Sequence, residues 1–267
     1  MTPLITRKLD AHKGDHGALG IVGGARGTVG AGILSARMAV MSGCGRVYLV
    51  RPDLCDGLVL DPLTPEVMLI DVPQSRHRPI NTWLIGPGLG ESNAAHQIVA
   101  DLIRDDRPMV IDADGLNLIA QDPALARQVA RRDAPTIMTP HPAEAARLLQ
   151  SSVDAVQSNR VQTATELASR YRAITLLKGA ESVIASEMHP PRINHTGNAA
   201  LATGGTGDVL AGLIGALVAQ GISPMDAVIH GTEIHGLAAE QLTKRLGGMI
   251  GITASELIPE IRQLINR

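Results

Sequence analysis

The 267-residue chain contains no phenylalanine, one tryptophan and two tyrosines. Proteins that read single-stranded bases stack them on aromatic side chains, so nucleic-acid recognition of that kind is excluded, and the core has to come from Leu, Ile, Val, Ala and Met. Charge of one sign is also missing. Lys plus Arg total 24 against 26 Asp plus Glu, a net charge of −2, with no basic cluster to attract a polyanion or an acidic membrane surface. The two cysteines, Cys44 and Cys55, fit neither a disulfide framework nor a zinc-knuckle spacing. They are read as ordinary thiols of a reducing cytoplasm. The longest nearly apolar run, "VLAGLIGALVAQGI" (209–222), is too short and too glycine-rich to span a bilayer, and "MTPLITRKLDAHKGD" lacks the apolar stretch of a signal peptide. The expectation is a soluble cytoplasmic protein, with no nucleic acid and no membrane as partner, acting on a small molecule.

Several cofactor and metal motifs are absent too. No G-x-x-x-x-G-K-[ST] loop and no correctly spaced G-x-G-x-x-G occurs, and "GGARGTVGAG" (23–32) is only glycine-rich. Asp112 and Asp114 imitate the start of a calcium loop, but Leu116 stands where an oxygen ligand is required and Pro123 where the closing glutamate belongs. His230 and His235 are five residues apart, not the four of H-E-x-x-H, and are read as core or surface histidines. No metal-ligating set is assigned.

What is present is a globular composition, 45% apolar and 19% charged, with a repeating pattern. The apolar runs "ALGIVGG" (18–24), "RVYLV" (46–50), "TWLIGPG" (82–88), "PMVIDADG" (108–115), "APTIMTPHP" (134–142) and "AITLLKGA" (173–180) read as buried strands. Between them "AGILSARMAVMSG" (31–43), "SNAAHQIVADLIR" (92–104) and "NRVQTATELASRY" (159–171) read as helices, and three more follow from about Thr206. This order predicts an α/β fold, a mostly parallel sheet covered by helices on both faces. With no repeat, linker or low-complexity segment, residues 1–267 are read as one domain. Ligands in open α/β sheets sit beyond the carboxyl ends of the strands. Those ends carry "GPGLG", "DADGLN", "TPHPAE" and "KGAES", each of which alone could be a tight turn.

"ATGGTGDVLAG" (202–212) is the most informative stretch. Val209, Leu210, Leu213, Ile214, Leu217 and Val218 repeat with helical period, so a helix starts at or just before Asp208 and Gly221 stops it. Its free N–H groups and positive dipole end form an anion site, placed at Gly205, Thr206 and Gly207, and the glycines let a phosphate reach the main chain. Asp208 has two compatible readings. It caps the helix, or it accepts a hydroxyl proton during phosphoryl transfer, kept ionised by the dipole.

"GNAALATGGTGDVLAG" (197–212) resembles the signature of the ribokinase-like fold, a three-layer α/β/α sandwich. In combination with "TPHPAEAARLL" (139–149), "KGDHGALGIVGG" (13–24), "GPGLG", "VIDADGLN" and "LLKGAESVIA" it is similar to the ADP/ATP-dependent NAD(P)H-hydrate dehydratases, in order along nearly the whole chain. The resemblance implies repair of hydrated NADH or NADPH. The 6-hydroxyl of the S-epimer is phosphorylated by ADP, phosphate is eliminated, and NAD(P)H, AMP and phosphate are released. It further implies that Asp208 is the base, that Lys178, Gly179, Ala180, Glu181, Ser182 and Gly207 bind the nucleotide, and that Ala31, Gly88, His141 and Asp208 contact the hydrated nicotinamide. Mg2+, a homotetramer and a functional partnership with an NAD(P)H-hydrate epimerase come with the same resemblance. Where relatives carry "YSGA" or "MPGA", this chain has "TVGA" (28–31), which leaves side-chain contacts before Ala31 unassigned. An N-terminal epimerase domain is expected to be missing, either because it is a separate protein or because the chain is a fragment. A small-molecule kinase of the same fold, such as a hydroxyethylthiazole or pyrimidine kinase, would keep Asp208 and stop at the phosphoester, whereas a non-catalytic nucleotide-binding module would not need the carboxylate.

Overall fold

The computed structural model describes residues 5–53, 57 and 60–267; Cys55 lies outside them, while Cys44 is a buried free thiol. Nine strands are described: β1 (Ala18–Val22), β2 (Arg46–Arg51), β3 (Val67–Asp71), β4 (Thr82–Ile85), β5 (Met109–Ile111), β6 (Thr136–Met138), β7 (Ile174–Leu177), β8 (Val183–Ser186) and β9 (His189–Ile193). The helices are α1 (Val29–Met41), α2 (Val72–Ser75), α3 (Asn93–Leu102), α4 (Asp114–Gln121), α5 (Pro123–Ala130), α6 (Pro142–Leu149), α7 (Val153–Ser158), α8 (Arg160–Tyr171), α9 (Thr206–Ala219), α10 (Pro224–Leu246) and α11 (Ala254–Ile265).

All nine strands join one sheet in the order β3-β2-β1-β4-β5-β6-β7-β8-β9. The first seven pair in parallel, and β8 and β9 close the edge antiparallel. Strand residues alternate between two separate cores. Leu19, Ile21, Leu49, Leu84, Val110 and Leu176 pack under α1, α9, α10 and α11. Val22, Val50, Trp83, Ile85, Ile111 and Leu177 pack under α3 to α8. This is the expected three-layer α/β/α sandwich of the ribokinase-like fold.

The six apolar runs became β1, β2, β4, β5, β6 and β7, because strands buried on both faces are apolar throughout. β9 escaped that reading. Its sequence HPPRI is exposed at every position and carries two prolines, which suit only a sheet edge. β3 and β8 were not anticipated either.

α9 is buried almost all round, as its small residues suggested. A Cβ added at Gly212 would come within 2.3 Å of the Ser35 carbonyl oxygen, so α1 and α9 approach to backbone contact. The strand order reverses between β1 and β4, and a crevice opens at such a switch point. There the turn after β4 is tied to the turn after β1: Gly24 N–H donates to Pro87 O at 2.9 Å and Ala25 N–H to Gly88 O at 2.7 Å.

Candidate active site

α9 begins two residues before Asp208. Its N-cap is Gly205, in the left-handed region at φ +93°, and no side chain caps the helix. Asp208 therefore sits in the first turn and is not the cap, which corrects one of its two sequence readings. Among the described residues its carboxylate accepts no hydrogen bond, and the N–H groups of Gly207 and Asp208 find no acceptor. The Thr206 hydroxyl turns back onto Leu201 O at 2.8 Å and Thr203 O at 3.0 Å, and its N–H donates to Thr203 O at 3.4 Å, so Thr206 braces the turn and its donors are already engaged. From α10, the buried His235 places Nε2 3.0 Å from Thr206 O. Burial holds this imidazole neutral, down at about 4, so Nε2–H is the donor. From α1, Ser35 Oγ–H donates to Asp208 O at 2.9 Å. The free end of α9 is thus fixed from both flanks while its donors stay open.

Three strand ends converge on that turn. Asp112, which follows β5, is buried and places Oδ1 2.6 Å from the ammonium of Lys178, which follows β7. Lys178 Nζ lies 3.5 Å from where a Cβ on Gly207 would stand, hence against the first turn of α9. Burial draws Lys178 toward neutrality, but Asp112, Glu144 and Asp208 outweigh it and its pKa is raised. Burial pushes Asp208 up, Asp112 adds to it and Lys178 opposes it, leaving the carboxyl at about 6. The sequence alone has the dipole keep Asp208 ionised; desolvation and a like charge raise its pKa instead, without making it neutral at pH 7. The site remains mostly carboxylate at neutral pH, and it is a stronger base than a solvated Asp.

The end of β6 delivers His141 and Glu144. His141 is the N-cap of α6: its Nδ1 accepts from the N–H groups of Ala143 and Glu144 at 3.1 and 3.3 Å. Glu144 Oε2 accepts the His141 N–H at 2.8 Å, and Oε1 lies 3.2 Å from His141 Nε2. Nδ1 is thereby engaged as an acceptor, which makes the neutral imidazole the Nε2–H tautomer, with Nε2 beside the Glu144 carboxylate. Burial lowers His141 and raises Glu144.

Ala31 and Gly88 meet at the switch point. Gly88 has φ +59°, and a Cβ there would lie 3.0 Å from Ala31 Cβ and 2.4 Å from Thr28 O. The turn that holds Gly88 is pinned by Asp114, whose Oδ2 accepts Gly90 N–H at 2.7 Å.

Lys178, Gly179, Ala180, Glu181, Ser182, Thr206 and Gly207 line one cavity of about 530 Å³ between the β7–β8 turn, the segment before α9 and α10. Ala31, Gly88, His141, Asp208 and Gly205 are not among its lining residues; a Cβ on Gly205 would meet Leu34 and Ala254. The sequence-assigned nucleotide residues are therefore gathered in one chamber. His141 and the Ala31–Gly88 pair lie at neighbouring loop ends outside it. Sequence reasoning missed Asp112 and Glu144 as members of the cluster, and missed residues 194–199, Leu201, Ala202, Thr232 and His235 around the cavity. A charged residue directly after a buried strand was the available signal for Asp112.

Comparison with known proteins places this geometry. Residues 19–263 match the family described as NAD(P)H-hydrate dehydratase. The ADP-dependent (S)-NAD(P)H-hydrate dehydratase of Neisseria meningitidis is 40% identical over 98% of this chain and 89% of its own. The bifunctional NAD(P)H-hydrate repair enzyme Nnr of Escherichia coli is 37% identical over 97% of this chain and 50% of its own, so the chain spans about half the length of such bifunctional relatives. The ADP/ATP-dependent NAD(P)H-hydrate dehydratase of Bacillus subtilis, co-crystallised with ATP and Mg2+, superposes with a TM-score of 0.86 at 29% identity, covering 99% of this chain and 94% of that one.

Proposed function

The chain belongs to the NAD(P)H-hydrate dehydratase family, and from that premise we propose that it uses ADP to dehydrate the S-epimer of hydrated NADH or NADPH. The observation that carries this reading is the junction at the start of α9, where a basic carboxylate, a buried ammonium and unpaired N–H groups meet at the mouth of a nucleotide-sized cavity. The adenosine end of ADP fills that cavity against Lys178–Ser182. Its terminal phosphate faces the N–H groups of Gly207 and Asp208, with Lys178 as counter-charge.

The hydrated nicotinamide lies on the other side of Asp208, against Ala31, Gly88 and His141. Asp208 accepts the proton of the 6-hydroxyl as that oxygen attacks the terminal phosphorus; the O–P bond forms and the bond to AMP breaks. The carbon–oxygen bond then breaks with phosphate as leaving group, pushed by the ring nitrogen's lone pair. The neighbouring ring carbon then gives its proton to the departing phosphate or to water, which restores the dihydropyridine. His141, with Nδ1 engaged in capping α6, positions the ring and moves no proton.

Mg2+ accompanies the phosphates, where charge between them needs neutralising. Among the described residues no group of three or more His, Cys, Asp or Glu is disposed to hold a metal ion, so no step is assigned to a protein-held metal. The proposal includes one catalytic domain over residues 1–267, a homotetramer, a cytoplasmic setting and a functional partnership with an epimerase; among the described residues no helix is long and apolar enough to cross a membrane.

Incubation with hydrated NADH and ADP tests the reading. The expected result is recovery of the reduced-nicotinamide absorbance with AMP and phosphate as products. A phosphorylated product that persists would indicate a kinase, and no reaction with either ADP or ATP would end the proposal.

A further inference from the structure

Asp112 lies outside the roles given so far. It follows the central strand β5 and is 1% exposed. Its backbone is held from two sides, Asp112 N–H donating to Ile85 O and Gly115 N–H to Asp112 O, each at 3.0 Å. The next residue, Ala113, has φ +49° and ψ −121°, a conformation that a residue with a Cβ adopts only under strain. The chain accepts that strain at the point where Asp112 meets Lys178 at 2.6 Å. A pair made only to neutralise a buried lysine has no need to hold its ammonium against the first turn of α9, yet that is where Lys178 stands.

We propose that Asp112 is a positioning residue for phosphoryl transfer: it fixes the Lys178 ammonium beside the phosphate site, and its charge is part of the field in which Asp208 takes the proton. This rests on the reading of Asp208 as proton acceptor. The groups that face Asp208 are Asp112 and Asp114 from the β5–α4 turn and Lys178 from the end of β7. Glu144 from α6 faces Lys178. Ser35 of α1 reaches only the Asp208 carbonyl, and His235 of α10, neutral, reaches only Thr206. Asp112 is thus the foremost of the carboxylates that bear on both the ammonium and the base. Removing its charge leaves Asp208 with Lys178 less opposed, and the carboxylate becomes a weaker base.

Asp112→Asn separates the two effects, because the amide oxygen still accepts from Lys178 while the charge is gone. The acid limb of the kcat profile, measured at saturating ADP and hydrated NADH, is expected to move down by about 0.5–1 pH unit. Asp112→Ala loses the anchor as well, and kcat on the plateau is expected to fall by about 100-fold with the Lys178 ammonium displaced. If that variant does not fold, the Asn profile decides alone. A wholly structural ion pair would lower stability and leave the limb in place, so an unmoved limb in Asp112→Asn overturns the proposal. Asp208→Asn in the same assay keeps the two levels apart. If it is inactive while the Asp112→Asn limb is unmoved, only the role of Asp112 falls; if it turns over like the wild type, the reading of Asp208 as base falls and this inference falls with it.

Discussion

At its C-terminal end α9 hands the Ala219 carbonyl to Asn81 Nδ2 at 2.9 Å, and the Gln220 side chain bridges Ser42 O and Ala216 O at 3.1 and 3.0 Å. Gly221 and Ile222 N–H groups close the last turn onto Val218 O and Leu217 O. At its N-terminal end, with the described residues on every side, two N–H groups and a carboxylate are left without hydrogen-bond partners. One helix therefore ends with its last four carbonyls paired, although among the described residues Gln220 Oε1 is buried without a partner, and begins with two N–H groups open. Orphan groups at a helix end are satisfied by caps, water or ligands. Here the position of Lys178 and the adjoining cavity point to an anionic ligand. The lesson is that the part of α9 least stabilised by the fold is the part equipped for chemistry.

Removing Lys178 should have the largest effect. Lys178→Met leaves Asp112 and Glu144 buried without their cation, and loss of one partner of a buried pair costs on the order of 3–5 kcal/mol. Denaturant melts should show that loss, and turnover should fall below detection. A stable, active variant would mean that the ammonium is not central to the N-terminal end.

The opposite end offers the contrast. Asn81→Ala deletes the bond to Ala219 O and the bond that Asn81 Oδ1 accepts from Ala18 N–H at 3.0 Å. About 1–3 kcal/mol of stability should be lost, with kcat and KM unchanged. A substantial fall in kcat would couple the two ends and weaken the comparison.

A smaller effect is the pH dependence. With Asp208 at about 6 and required as carboxylate, kcat should decline as pH drops through that value. Stability runs the other way. A carboxyl raised above its unfolded value contributes stability when protonated, and that contribution is lost as pH rises through about 6. Asp208→Asn should therefore melt higher than the wild type at pH well above 6, by on the order of 1–3 kcal/mol, and the advantage should shrink under acid. Equal melting of the two proteins across that window would place the cost elsewhere.

Much of this contrast was readable in the sequence. The period of Val209, Leu210, Leu213 and Ile214 located α9, and "TGGTGD" marked its start as unusual. The apolar runs that became β4, β5, β6 and β7 ended in "GPGLG", "DADGLN", "TPHPAE" and "KGAES", which placed those four ends at the site. The pairing of Asp112 with Lys178 was not legible. The two are 66 residues apart and are brought together by β5 and β7 with β6 between them, a relation that no local pattern encodes. For the same reason His235 gave no sign that it would reach Thr206 across 29 residues. Asp208 as a cap failed because Gly205 starts the helix earlier, and the rise of the Asp208 pKa was not legible because local propensity says nothing of burial.

The most direct test of the account is Asp208→Asn, measured for ADP binding by calorimetry and for turnover of hydrated NADH with ADP. The prediction is retained nucleotide affinity, since the unpaired N–H groups and the cavity are intact, with turnover reduced by about 10³-fold or more. Turnover close to that of the wild type would contradict it, and would leave the open end of α9 as a place that binds phosphate without a base.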